Sequence, residues 1–193
     1  MPPDTSPGRD APAEATPSAD RPPDALAAAR ETARRLLARR PQATLATLVA
    51  PSGMAPSGQE AGGGDAAPMG GWPYPSLVMV ALDDVGRPLL LLSELALHTR
   101  NLRQDGRAAL LFEDTSGLEN PLTGPRLSVM GRIAPLAGAE AEAARAAYLD
   151  RHPSAALYAD FPDFRFWRMD ITQAHLVAGF GRIHWLTAAD LRA

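Results

Sequence analysis

Ser93, His98, Thr99, Arg100, Asn101 and Arg103 stand close together just after a run of four leucines, Leu89 to Leu92. Hydroxyls, an imidazole and guanidinium groups beside a helix start suit an anion, because free backbone N–H groups and the helix dipole both favour negative charge there. The same residues would also make an ordinary solvated helix face, and this stretch alone leaves both readings open. Arg126 opens a later strand, and an inward Arg in a barrel needs a counter-ion that no nearby carboxylate supplies. A bound phosphate would meet that need. Ser76, which follows Pro75 at a strand start, could reach the same anion. His175 and His184 lie in strand-like segments, where packing competes with a ligand role.

Other chemistries are absent from the pattern. There is no Ser-His-Asp or Gly-x-Ser-x-Gly arrangement, no Walker loop and no dinucleotide fingerprint. Gly62-Gly63-Gly64 is followed by neither Lys-Ser/Thr nor a helix start, so it does not read as a phosphate loop. The four histidines, His98, His152, His175 and His184, show no metal-ligand spacing with each other or with carboxylates. The chain has no Cys, which excludes disulfides, thiolate metal sites and cysteine nucleophiles.

The elements that must position these residues follow from hydrophobic periodicity. Leu89 to Leu92 reads as a buried strand, Ser93 to Gln104 holds a short amphipathic helix closed by Asp105-Gly106, and Arg107 to Phe112 is a second strand. Upstream, Asp24 can cap a helix over Ala25–Arg40, whose apolar stripe is Leu26, Ala29, Ala33, Leu36 and Leu37, and which Pro41 stops. Gln42 to Ala50 alternates like a strand. Tyr74 to Leu82 is the next, and it should form a hairpin with the leucine run across Asp83 to Gly86. Pro125 to Pro135 is a long strand whose Gly131 suggests a bulge or a close backbone approach. Gly138 to Arg151 is helical, Phe164 to Ile171 and Ala174 to Phe180 are strands, Arg182 to Leu186 continues or adds one, and Thr187 caps a terminal turn. This order suits a small antiparallel barrel with helices outside.

The 193 residues suit one folded domain. Residues 1–24, with seven prolines and almost no large apolar side chain, should be a disordered tail, and the Gly/Pro-rich residues 51–73 a flexible loop. A net charge of −3 gives no basic footprint for nucleic acid, and all 19 basic residues are Arg, which reads as base-composition bias. Nothing approaches the ~20 apolar residues of a membrane span, and no secretory signal opens the chain, so the cytoplasm is the expectation.

Five segments carry a family resemblance in order: Tyr74-Pro75-Ser76-Leu77-Val78, Leu95-Ala96-Leu97-His98-Thr99-Arg100-Asn101-Leu102, Pro125-Arg126-Leu127-Ser128-Val129-Met130-Gly131, Tyr148-Leu149-Asp150-Arg151-His152-Pro153 and Gly179-Phe180-Gly181-Arg182. Together they resemble the FMN-binding split-barrel superfamily related to pyridoxamine 5′-phosphate oxidase, and within it the haem-utilisation (HugZ-like) branch. The resemblance implies a mainly β (α+β) fold over 25–193, a six-stranded antiparallel split barrel with flanking helices. It further implies a homodimer with FMN at the subunit interface.

Carried onto this chain, the resemblance makes Ser76, Ser93, His98, Thr99, Asn101, Arg126 and Ser128 the FMN-binding residues. Leu97-His98 stands where the oxidase has an Arg-Lys pair, and Arg126 where it has a Gln. On the substrate helix Tyr148 matches, whereas His152 and Ala156 replace an Arg and a Ser, so oxidation of pyridoxamine phosphate is not expected. The implied function is an FMN-dependent oxidoreductase on an unknown small substrate. The alternatives are a haem-binding or haem-degrading protein of the same fold, or a flavin or tetrapyrrole carrier without turnover. Some relatives bind haem through a C-terminal His, and His184 is the residue in that neighbourhood.

Overall fold

The computed structural model describes residues 23–50, 70–179 and 181–192. Of the expected tail over 1–24 and loop over 51–73, residues 1–22 and 51–69 lie outside the described residues, whereas Pro23 and Asp24 begin a helix and Pro73 begins a strand. Helix α1 spans Pro23–Arg39, so it starts at a proline, whose fixed φ suits a first turn, and Asp24 lies inside it rather than at its cap. Ala29, Ala33, Leu36 and Leu37 are buried, as the stripe requires.

One antiparallel sheet follows. Its strands are β1 (Gln42–Leu48), β2 (Pro73–Met79), β3 (Ala81–Leu82), β4 (Pro88–Ser93), β5 (Arg107–Glu113), β6 (Arg126–Pro135), β7 (Phe164–Val177) and β8 (Ile183–Thr187). Their order is β2-β1-β5-β6-β7-β4-β3, with β8 pairing β7. Helices α2 (Leu97–Gln104), α3 (Gly138–Arg151) and α4 (Ala188–Leu191) flank the sheet, with 3₁₀ turns at Pro121–Thr123 and Pro153–Leu157. No helix among the described residues is long and apolar enough to cross a membrane.

This is the curled, split-barrel architecture expected, with eight strands rather than six. Two details differ from the sequence reading. Tyr74–Leu82 divides at Val80, whose N–H bonds Pro41 O (2.8 Å), so only Ala81–Leu82 pairs with β4 while β2 pairs with β1. Conversely, β7 is one strand where the sequence reads two. Met130 faces Gln173 but Gly131 faces Ile171, which leaves Thr172 as an extra residue in a β-bulge.

The leucine run is buried on both sides by its own chain. Leu90 and Leu92 enter the main core with Leu45, Leu110, Phe112, Leu127 and α1. Leu89 and Leu91 join a smaller core with Tyr148, Ala155 and Phe166. A continuous apolar strand covered on both faces needs no partner subunit to hide it.

Two further contacts fix the helices. Asp190 of α4 accepts from the Thr187 N–H and hydroxyl (both 2.8 Å) and from Arg30 Nε (2.6 Å), which ties α4 to α1. Burial alone would raise the Asp190 pKa, but these bonds outweigh it and hold it below the ordinary carboxylate value. On α2, the Arg103 guanidinium lies 5.1 Å from the ring centroid of buried Trp167 and also bonds Glu94.

Candidate functional site

Alternation along the strands sorts the expected site residues onto two sides of the sheet. Ser76 follows Tyr74 and precedes buried Val78 on the inner side of β2. Thr99, Asn101 and Leu102 are the buried residues of α2, which lies against β1. Asn101 Nδ2 donates to Thr47 Oγ1 (3.0 Å), and its Oδ1 accepts from the Ala50 N–H (3.4 Å). Asn101 thus holds the end of β1. The hydroxyls of Ser76 and Thr99 are buried without a hydrogen-bond partner among the described residues. Half-buried His98 has its pKa lowered by desolvation, which favours the neutral imidazole.

The remaining three stand elsewhere. Ser93 donates to Asp163 Oδ2 (2.6 Å) and accepts from the Leu95 N–H (3.1 Å), so it closes the turn into α2. Arg126 does not point into the barrel. It stands on the outer face, and its Nη1 donates to the carbonyls of Leu122 (2.7 Å) and Gly124 (3.1 Å), bracing the β5–β6 connection. Two backbone acceptors satisfy it in place of the anticipated counter-ion. Ser128 is also outside, in a cross-strand row with Leu111 and His175. Within the chain the seven residues therefore do not converge on one point.

The helix that would carry a substrate-phosphate grip does something else. Tyr148 and His152 stack at 4.8 Å, His152 Nε2 contacts Val80 O at 2.9 Å, and the Tyr148 hydroxyl reaches Met79 O at 3.5 Å. Together they clamp α3 onto the β2–β3 break. Burial raises the Tyr148 pKa further from neutrality.

The outer face holds an open groove of about 570 Å³ that the sequence reading did not assemble. Ala46, Leu48, Ala109 and Met130 give it an apolar floor, and Arg107 and Arg132 stand at its edge beside the bulged Thr172. Arg107 is held by Asp105 (2.6 Å), whose own pKa falls to about 2 through that bond. Arg132 is exposed and has no hydrogen-bond partner among the described residues. The sequence signal for this place was Gly131, where a Cβ would lie 2.2 Å from Asp170 O. Only glycine lets β6 and β7 approach this closely, and bulges commonly re-aim side chains beside functional sites.

A family model described as "CREG, beta-barrel" matches residues 23–191. The chain belongs to the CREG beta-barrel family. Among relatives of this barrel, the non-canonical haem oxygenase HOZ, chloroplastic, of Arabidopsis thaliana is 35% identical over 113 residues, which covers 56% of this chain and 33% of that protein. A solved haem-binding protein from Mycobacterium smegmatis is 32% identical with a TM-score of 0.71, covering 84% of this chain and 59% of that one. The chain thus spans a third of the plant relative's length and under two thirds of the mycobacterial one. A protein of the pyridoxinephosphate oxidase family from Clostridium acetobutylicum shares the fold, at 14% identity and a TM-score of 0.59 over 86% of this chain and 98% of that one.

Proposed function

We propose that this CREG-family barrel binds haem on the outer face of a homodimer, as a haem-binding or haem-degrading protein. The observation that carries the reading is the groove with an apolar floor and, at its rim, Arg132, which has no hydrogen-bond partner among the described residues. Its volume lies within the roughly 300–1,000 Å³ usual for small-molecule sites. A flat apolar ring bearing carboxylates has the matching chemistry, since the floor excludes water and guanidinium groups pair with carboxylates. The names of the Arabidopsis and mycobacterial relatives point the same way. Bound haem would supply iron-centred redox chemistry; the chain's own residues hold, orient and screen it.

The test is titration with ferric haem, read from the Soret band. Wild type should saturate with a shifted band. Arg132→Glu should weaken binding by roughly tenfold or more, since a charge-assisted bond contributes about 1.5–3 kcal/mol. Haem dimethyl ester, which has lost the carboxylates, should not distinguish the two proteins. If wild type leaves the Soret band unchanged, the reading is wrong.

The dimer rests on the rest of the same face. Leu77, Trp185, Ile183, Leu111 and Met79 are 69, 60, 46, 38 and 37% exposed. Leu77, Thr44, Leu111, Ser128, His175 and Trp185 fall in one continuous cross-strand row. Exposed large apolar side chains interspersed along one cross-strand row suit an interaction surface, and a stable interface needs at least ~1,000 Å². Light scattering at micromolar concentration should give twice the chain mass for wild type and a monomer for Trp185→Glu. A wild-type monomer would exclude the dimer.

A second reading, FMN binding with oxidoreductase activity on a small substrate, is favoured by one observation. The buried hydroxyls of Ser76 and Thr99 have no described partner, and α2 begins at Ala96 with no side-chain cap. A phosphate could satisfy such donors. FMN that quenches on titration while riboflavin does not would support it.

A further inference from the structure

Helix α3 packs against β3 and β4, and a cavity of about 360 Å³ remains between the helix and the β3–β4 turn. It shares no described residue with the outer groove. Its volume is at the small end of the range for small-molecule sites. One wall is apolar: Leu89 and Ala144 are 1 and 3% exposed, and Leu136 and Ala147 pack beside them in the smaller core. Charged side chains of both signs complete the lining.

Most of those charges are engaged with one another. Asp83 accepts from the Val85 and Arg87 N–H groups (3.1 and 2.8 Å) and from Arg87 Nε (2.7 Å), so both of its oxygens close the turn. Arg87 Nη1 also reaches Asp170 Oδ1 at 3.4 Å. Two groups are left over. Arg168 donates from Nη1 to Glu140 Oε1 (2.9 Å), but its Nε is buried without an acceptor among the described residues. Asp170 Oδ1 lies 3.8 Å from that Nε, beyond hydrogen-bond reach. Arg168 Nη2 makes no hydrogen bond among the described residues either. The Nε–Nη2 edge of a guanidinium is a fork that takes a carboxylate in two parallel bonds, so a whole bidentate position stands open beside apolar surface. A buried donor in that state calls for an acceptor. The second group is Asp84, whose exposed carboxylate makes no hydrogen bond or ion pair among the described residues.

We propose that this cavity binds an apolar α-amino acid, with its carboxylate on the Nε–Nη2 edge of Arg168, its ammonium group at Asp84 and its side chain against Leu89, Leu136 and Ala147. A plain carboxylate would pair with Arg168 but would also face Asp83, Asp84 and Glu140. A plain amine would suit those carboxylates and leave the buried Nε unpaired. A small zwitterion satisfies both ends, and the apolar wall selects its side chain. The site goes beyond the haem reading and does not depend on it.

The experiment is calorimetric titration with leucine and with its two halves: isocaproate, which lacks the ammonium group, and isoamylamine, which lacks the carboxylate. Wild type should bind leucine saturably. Isoamylamine should bind about tenfold or more weakly, because it forfeits a charge-assisted pair at a half-buried Arg. Isocaproate should lose about twofold to fivefold, the scale of an exposed ion pair. Arg168→Gln should weaken leucine about tenfold or more, and Asp84→Asn should erase the preference for leucine over isocaproate. Ala143→Phe fills the cavity from an exposed position on α3 without touching a charge. It should melt like wild type in the absence of ligand and still fail to bind leucine. No saturable leucine binding at millimolar concentration, or equal binding by wild type and Ala143→Phe, would overturn the site. Equal affinity of wild type for leucine and isocaproate would overturn the amino-acid assignment. None of these readouts involves haem, so this proposal and the haem reading fail separately.

Discussion

Gly131→Ala is expected to be among the most damaging single substitutions in the chain. The added Cβ would lie 2.2 Å from Asp170 O and 3.0 Å from Asp170 C, both backbone atoms that cannot rotate away. Relief requires β6 and β7 to separate at the bulge, which breaks ladder bonds on both sides. Overpacking of this severity costs about 3 kcal/mol, and at about 2–4 °C per kcal/mol for a chain this size the melting temperature should fall by roughly 6–12 °C. Gly138→Ala is the control: nothing lies within 4 Å of its Cβ, and only a positive φ of 55° resists it. Thermal and urea unfolding by circular dichroism decide the matter. If Gly131→Ala melts with wild type, the strands separate freely there and the groove is not a rigid feature.

Trp167 should give the second large effect, with opposite outcomes for two replacements. The side chain is 1% exposed within the barrel core, and its indole lies under the Arg103 guanidinium. Truncation to Ala should cost about 3–5 kcal/mol. Trp167→Phe should cost far less, because the indole N–H is buried with no described acceptor. Removing an unsatisfied donor recovers part of the ~1–3 kcal/mol that its burial costs. Urea midpoints for the pair provide the comparison. A Phe variant as unstable as the Ala variant would mean that the indole N–H is hydrogen-bonded in solution.

Much of the barrel was legible because its signals are local. The leucine run and the Asp105-Gly106 stop gave β4, β5 and the end of α2 nearly to the residue, while α2 begins at Leu97, four residues after the expected Ser93. Gly131 was singled out for a bulge or close approach, and both are present. Pairing was less legible. Tyr74–Leu82 looked like the partner of the leucine run, but a break at Val80 sends most of it to β1, a choice made by contacts distant in sequence.

The site was harder still, because a strand's facing depends on register. Arg126 was expected inside, and one step of alternation puts it outside, where carbonyls of the preceding turn hold it. Arg107, Arg132 and Thr172 come together only through the β5–β6–β7 ladder and its bulge, which no single stretch of sequence encodes. The Tyr148 and His152 pair, read as a remnant of a phosphate grip, is instead a clamp on the sheet.

The position of β7 has a consequence for how the chain assembles as it is made. It sits between β6 and β4, so two strands made earlier wait for it, and β8, made last, adds to it. Strand β4, with its four leucines, emerges long before Phe164 and has only the two-residue β3 to pair with until then. Through that interval the nascent chain exposes an apolar strand with open edges, the kind of segment that seeks strands on neighbouring chains. The late arrival of β7 both completes the sheet and hides that edge. Conditions that slow synthesis beyond Ser93 would therefore lengthen the period in which this protein is most prone to aggregate.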